Sequence, residues 1–110
     1  MAVRTARLAV DTSNVGSQKT IYTCPAGKTA ILKDVRVYAD GGAATRVILY
    51  LIRSGGAPYS ALMDEDLPNQ DTRAWQGFIV LEPGDHITFQ STGNAARAWL
   101  SGAELDGVAP

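Results

Sequence analysis

Residues 45–53 read Thr-Arg-Val-Ile-Leu-Tyr-Leu-Ile-Arg, and this stretch decides the fold class. Its inner residues are all aliphatic or aromatic, a composition typical of a β-strand. Side chains of a strand alternate between its two sides, so both sides of this strand are apolar. One side carries Val47, Leu49 and Leu51, and the other carries Ile48, Tyr50 and Ile52. We therefore predict that one side packs in the core and that a neighbouring subunit covers the other. The alternatives are that the aromatic rings lie flat along the rim of a monomer, or that the loop around Leu62 folds over them.

The rest of the chain repeats this pattern of short strands between turns. Residues 86–90 alternate polar with apolar side chains, which predicts that Ile87 and Phe89 point into a core. The eleven glycines and five prolines fall between such segments, and no segment keeps a helical spacing. Together with residues 45–53, the predicted strands are residues 4–10, 20–24, 29–39, 73–81, 86–92 and 96–105.

One predicted strand changes its alternation partway along. Ala30 and Leu32 share one side, but Val35 and Val37 have the opposite parity. A β-bulge at residues 33–34 would return all four side chains to one inner face, and we predict one there.

The connections between strands carry turn residues. Residues 40–42 and 54–56 supply glycines, and residues 82–85 place Pro and Gly at the central positions of a type II turn. Residues 24–27 have Pro second and Gly fourth, which suits a type I turn. Residues 59–70 fit either a strand or one helical turn within a longer loop, and the sequence leaves both open.

Composition bounds the class of protein. The 110 residues, 45% of them hydrophobic, are enough for one domain over residues 1–110. The formal net charge of -1 gives no overall attraction to a nucleic acid or an anionic membrane, and no apolar run approaches the roughly 18 residues of a membrane span. With no helix to cover a sheet, we predict an all-β fold: a single jelly-roll-like antiparallel β-sandwich of roughly seven or eight strands.

The sequence contains no pattern typical of a catalytic or metal site. His86 is the only histidine and lies on the polar side of its strand, and Cys24 is the only cysteine and has no base beside it in the sequence. We therefore predict no catalytic residue, no bound metal, no cofactor and no enzymatic activity. Four acids, Asp64, Glu65, Asp66 and Asp71, lack the spacing of a calcium loop. We expect them to be solvated or to face basic residues of another subunit, such as Arg4, Arg7 and Arg46.

Three stretches carry a family resemblance. Residues 21–32, Ile-Tyr-Thr-Cys-Pro-Ala-Gly-Lys-Thr-Ala-Ile-Leu, resemble the opening of small β-sandwich virion proteins of tailed bacteriophages. Residues 80–87, Val-Leu-Glu-Pro-Gly-Asp-His-Ile, look like a second hallmark of those proteins, and residues 100–105 look like their closing strand. Cys24 stands where an apolar valine is common. The resemblance implies a structural role in the virion, on the capsid surface, at the head-tail junction or in the tail.

These observations predict a non-enzymatic virion component that packs against copies of itself and against capsid or tail proteins. By analogy we expect a homotrimer, and we expect no nucleic-acid or membrane partner. The apolar and aromatic side chains expected at interfaces are Ile48, Tyr50, Ile52, Trp75 and Trp99.

Two alternatives come from other classes. A receptor- or glycan-binding module at a tail tip would line a groove with Tyr50, Trp75 and Trp99, whereas a small cupin-like enzyme would need a metal-binding histidine cluster that this sequence lacks.

Overall fold

The computed structural model describes residues 3–12, 14–39, 42–54 and 59–106. These residues form strands and turns, and within the described ranges there is no helix suited to crossing a membrane. The strands are β1 (Val3–Thr12), β2 (Asn14–Val15), β3 (Lys19–Thr23), β4 (Lys28–Tyr38), β5 (Thr45–Ile52), β6 (Tyr59–Leu67), β7 (Thr72–Leu81), β8 (His86–Thr92) and β9 (Arg97–Asp106).

The strands form two sheets. Sheet A has the order β1-β9-β4-β7, and every pairing in it is antiparallel. In sheet B, β5 lies between β6 and β8, and the other edge of β8 pairs with β3 and, in a short parallel bridge, with β2. Most strands that follow one another in the chain lie in different sheets, as in a jelly roll, and among the described strands only β2–β3 and β5–β6 are successive strands of one sheet. The predicted all-β jelly-roll sandwich is confirmed.

The core lies between the two sheets. Val47 and Leu49 are fully buried and Leu51 is nearly so, which confirms the inner side predicted for β5. Ile87 and Phe89 are fully buried as well. The largest fully buried side chains include Phe89, Leu32, Leu49, Leu67, Leu81, Ile87 and Leu100.

The predicted β-bulge in β4 is confirmed. The pairing of β4 with β9 shifts between Leu32 and Asp34, so that Val35 regains the inner side and is fully buried. Opposite the bulge, Gly102 of β9 pairs with Leu32. A Cβ atom at Gly102 would overlap the carbonyl oxygen of Ile31, so only glycine allows this close approach of the two backbones.

Two predicted turns differ in outcome. Asp85 N–H donates to the carbonyl of Glu82 at 3.0 Å, and Gly84 has a φ of 89°, which confirms the type II turn. The prediction of a type I turn over residues 24–27 was wrong by one residue. Lys28 N–H donates to the carbonyl of Pro25 at 3.2 Å, and the φ of 75° at Gly27 places glycine third in that turn. Glycine's tolerance of positive φ decides the register here.

The segment that the sequence left open, residues 59–70, contains all of β6. Met63 pairs with Leu49 and is buried, and Leu67 pairs with Thr45 and is fully buried. The acids between them occupy a strand at the edge of sheet B, with Asp64 opposite Ile48.

Candidate interaction surfaces

The outer side of sheet B is called face B. Arg46, Ile48, Tyr50 and Ile52 of β5 share it, because they alternate with the buried Val47, Leu49 and Leu51. The neighbouring strands add Ala61, Asp64, Asp66, His86, Thr88 and Gln90 to this face.

Face B shelters its own apolar residues. The guanidinium of Arg46 donates two hydrogen bonds to Asp64, at 2.7 and 2.8 Å, and Asp64 lies opposite Ile48. These hydrogen bonds lower the pKa of the Asp64 carboxyl. With Gln90 on its other flank, Ile48 is only 7% exposed, and Tyr50 and Ile52 are half-buried. The side chains of face B therefore provide much of the cover that we predicted a neighbouring subunit to give these residues.

The outer side of sheet A is called face A. Register places Ala103, Ile31 and Val80 in one row across three strands, and Val10 and Trp99 in another row together with Arg36. Face A also includes Asp34, Phe78, Arg97 and Leu105. Phe78 lies on β7, the edge strand of sheet A, two residues before Val80.

Face A exposes large apolar side chains. Phe78 is 65% exposed, Val10 is 41% exposed and Val80 is 39% exposed. An edge strand has a neighbour on one side only, so its outward side chains receive cover from one flank. Phe78 and Val80 are neighbours on the outer side of β7, and adjacent exposed apolar residues are typical of a contact surface. Val10 lies apart from them, on β1 at the opposite edge of sheet A.

The five predicted interface residues do not form one site. Ile48, Tyr50 and Ile52 lie on face B, and Trp99 pairs with Arg36 on face A. Trp75 pairs with the buried Val35 and packs against the core of its own chain. Whether these residues contact another subunit stays a prediction.

The groove required by the glycan-binding alternative is not formed. Tyr50 and Trp99 belong to opposite outer faces of the sandwich, and Trp75 has the inward parity of sheet A. The three rings therefore cannot line one groove.

Phe78, Val80 and Val10 were absent from the predicted site. Their alternation with inward residues was readable, since Phe78 and Val80 have the opposite parity to Ile79 and Leu81. What the sequence does not give is that β7 is an edge strand, and this position decides the exposure.

The residues with reactive side chains are used structurally. The Cys24 thiol is buried against the carbonyl oxygens of Lys28 and Leu81, at 3.4 and 3.5 Å, and burial raises its pKa. Cys24 is therefore a small side chain of the core. His86 is half-buried on face B, opposite Thr23 and Ile52. Among the described residues no cluster of His, Cys, Asp or Glu is arranged to hold a metal.

A buried carboxylate ties the turn after β7 to the end of β5. Asp85, 3% exposed, accepts hydrogen bonds from the N–H of Ser54 at 2.7 Å, the N–H of Glu82 at 2.9 Å and the guanidinium of Arg53 at 2.7 Å. Burial acts to raise the pKa of Asp85, but these three donors together hold it below its ordinary value. The same guanidinium donates to the carbonyl of Val80 at 2.9 Å, which fixes β7 to sheet B.

The acids of β6 and its following loop find partners within the chain. Arg46 binds Asp64, and Arg73 binds Asp71 and lies 4.0 Å from Glu65. The expected basic partner on another subunit is therefore replaced, at Asp64, by Arg46 of the same chain.

A shallow depression lies at the acidic end of face B. Its volume is about 320 Å³, and its lining residues are Ala44, Thr45, Arg46, Asp66 and Thr92. The hydroxyl oxygen of Thr45 lies 2.7 Å from the carbonyl oxygen of Thr92 and 2.8 Å from that of Asn94, and its single hydrogen is donated to one of them or shared between both.

The comparisons with known proteins support the fold. No protein-family model matches the chain, and no curated protein matches it in sequence. The chain is similar to one from the Bacillus endospore appendages, a family of disulfide-linked pili, with a TM-score of 0.58 and 14% identity over 96% of this chain and 89% of that one.

Chains from a virus particle are also similar. A chain of the crystallised infectious bursal disease virus particle has a TM-score of 0.56 and 13% identity, over 94% of this chain and 30% of that one. The VP2 protein of the same virus, in T=1 particles formed by a mutant, has a TM-score of 0.51 and 14% identity, over 96% of this chain and 32% of that one. The present chain thus spans about a third of the viral chains it matches. At these identities the similarity establishes the β-sandwich alone.

Proposed function

We propose that this chain is a non-enzymatic structural component of a bacteriophage particle, acting as a capsid decoration or cement protein or as a minor tail protein. It packs on copies of itself and on capsid or tail proteins. The observation that carries the proposal is the exposed apolar group on face A formed by Phe78 and Val80 of the edge strand β7. Exposure of such side chains is unfavourable for an isolated molecule, and burial in an assembly would remove that cost.

Three further features support the proposal. The jelly-roll strand order occurs in viral capsid domains, and the two similar structures with a stated assembly are a pilus and a virus particle. The resemblance of residues 21–32 and 80–87 to phage virion proteins falls on the strands and turns that the structure contains. The described residues offer no cluster of metal-binding groups, and the Cys24 thiol lacks the low pKa of a reactive nucleophile.

The proposal is tested by incorporation into particles. Phe78→Ser combined with Val80→Ser removes the exposed apolar group, and we expect a folded chain with reduced particle occupancy and reduced self-association. Occupancy is measured by quantitative mass spectrometry of purified particles, and self-association by light scattering.

A second pair of substitutions tests face B. We expect Tyr50→Ser combined with Ile52→Ser to lower occupancy while the β-sheet circular dichroism is retained. Thr20→Ser, an exposed position on β3, is the control that changes sheet B without removing apolar area. If both double variants enter particles and self-associate like the unmodified chain, the proposal is wrong.

A further inference from the structure

Faces A and B are each divided along the strands into a charged end and an apolar end. On face B, the charged end carries Arg46, Asp64 and Asp66, and the apolar end carries Tyr50 and Ile52. Asp64 and Asp66 outnumber Arg46, so this end has an excess of negative charge.

Face A has the opposite sign at its charged end. Arg36 and Arg97 lie there, in and beside the row that also holds Trp99 and Val10. Asp34 lies farther along β4, and Arg36 contacts it at 3.4 Å. Its apolar end carries Ile31, Val80, Ala103 and Leu105.

The charged ends of the two faces lie at the same end of the sandwich. β4 ends at Tyr38 and β5 begins at Thr45, so Arg36 and Arg46 are both close to the connection between these strands. The apolar ends both lie toward the turn of residues 82–85. A second copy can be placed on the first by a translation perpendicular to the sheets, with no rotation. Face A of one copy then lies on face B of the other, with the basic end of face A against the acidic end of face B and the two apolar ends in contact.

From this complementarity we infer that face A of one copy docks on face B of a second copy of the same chain. The inference rests on the proposed function, because it names how the chain packs against itself. The shallow depression lined by Asp66 and Thr92 lies within the acidic end of face B and offers a place for a guanidinium of the neighbour.

The smaller of the two faces limits the available area. The strands of sheet B are two to nine residues long, and at about 3.3 Å per residue and about 4.8 Å between strands they cover roughly 500 Å² in all. Docking of face A on face B therefore buries about 1,000 Å² in total, the area expected of a small biological interface.

The contact is heterologous and propagates. Faces A and B lie on opposite sides of the sandwich, so a stack of docked copies has a free face A at one end and a free face B at the other. Each free face can bind a further copy. Sheets pack about 10 Å apart, so stacking of two-sheet subunits gives a repeat of about 20 Å. A closed trimer would require a different contact, which makes the distribution of oligomer sizes informative.

Two charge reversals test the docking. Arg36→Glu places a negative charge on face A, and Asp66→Lys places a positive charge on face B; both side chains are exposed. Each variant alone brings like charges together, so we expect its apparent Kd of self-association, measured by light scattering over a concentration series, to rise by about tenfold or more. An equal mixture restores opposite charges at every contact, and we expect association within about threefold of the unmodified chain.

The control is Glu82→Lys, which changes the net charge as Asp66→Lys does but lies in an exposed turn at the other end of the molecule. We expect it to associate normally. If Arg36→Glu or Asp66→Lys fails to fold by circular dichroism, Arg36→Gln or Asp66→Asn replaces it. The expected loss of association is then smaller, and mixing is expected to restore part of it, because only alternate contacts regain the pair of opposite charges.

The outcomes separate the inference from the proposed function. A fixed closed oligomer that neither reversal weakens, or a mixture that associates no better than its components, overturns the stacking. Particle occupancy is measured on the same variants. If the unmodified chain is present in particles and the charge-reversal variants self-associate normally, the stacking is contradicted and the proposed function is unaffected. A chain that is absent from particles contradicts the proposed function, while rescue on mixing in solution would still support the contact between faces A and B.

Discussion

Faces A and B both carry large apolar side chains but differ in how far they expose them. Ile48 sits on the central strand of sheet B, flanked by Asp64 and Gln90, and is 7% exposed. Phe78 sits on the edge strand of sheet A and is 65% exposed. Position in the sheet, more than the residue type, therefore decides which apolar side chains remain available for a partner.

The largest loss of stability is expected at Gly102, where the backbones of β9 and β4 lie close together. Gly102→Ala places a Cβ atom on the carbonyl oxygen of Ile31, and relief requires backbone movement beside the bulge of β4. We expect a loss of about 3 kcal/mol or more in the free energy of unfolding, measured by urea titration.

Gly77→Ala is the matched control on the edge strand of the same sheet. Its Cβ atom would lie 2.8 Å from the Trp75 ring, and a half-buried ring can shift where a backbone cannot. Equal losses for the two alanine variants would contradict the assignment of tight backbone packing to Gly102.

One substitution on each face tests whether the two faces pack their apolar side chains to different extents. Ile48→Ser removes a side chain that face B shelters, and we expect a loss of roughly 2 to 3 kcal/mol in the free energy of unfolding. Phe78→Ser removes one that is largely exposed, and we expect a change within about 0.5 kcal/mol. Similar losses at both positions would show that the two faces are equally packed within one chain.

A smaller effect is expected at the carboxylate that holds the edge strand to sheet B. Asp85→Asn weakens the hydrogen bonds from Ser54, Glu82 and Arg53, and we expect a loss of about 1.5 to 2 kcal/mol near neutral pH. Asp64→Asn makes the same chemical change at an exposed ion pair, and we expect much less effect on unfolding.

The loss at Asp85 depends on pH with a defined sign. The folded-state pKa of Asp85 lies below the ordinary value of about 3.9, so its contribution is fully present above about pH 4 and is lost as the pH falls through the folded pKa. We expect the stability difference between the unmodified chain and Asp85→Asn to shrink below about pH 4. A difference that stays constant down to acid unfolding would contradict the role given to this carboxylate.

Much of the fold follows from local patterns. Alternation of polar and apolar side chains identified the inner side of β8, and the parity change after Leu32 located the bulge. These features depend on residues close together in the chain. The turn at Pro25 was misplaced because Pro and Gly also fit the register one residue earlier, and the φ of 75° at Gly27 decides between them.

The candidate surfaces depend on which strands lie side by side in each sheet, and the sequence does not show that order. The acids of β6 obscured its alternation, although Arg46 binds Asp64 across the strand pair. Ile48 was predicted to need a partner because the flanking side chains that shelter it come from β6 and β8. Phe78 was left out because the edge position of β7 is a property of the whole sheet.

The central claim is that the exposed apolar group on face A is a contact surface in an assembly. A reconstruction of a particle that contains the chain, at a resolution that shows side chains, tests it most directly. We predict that Phe78 and Val80 are buried against another subunit. Copies whose Phe78 and Val80 face solvent throughout the particle would contradict the claim.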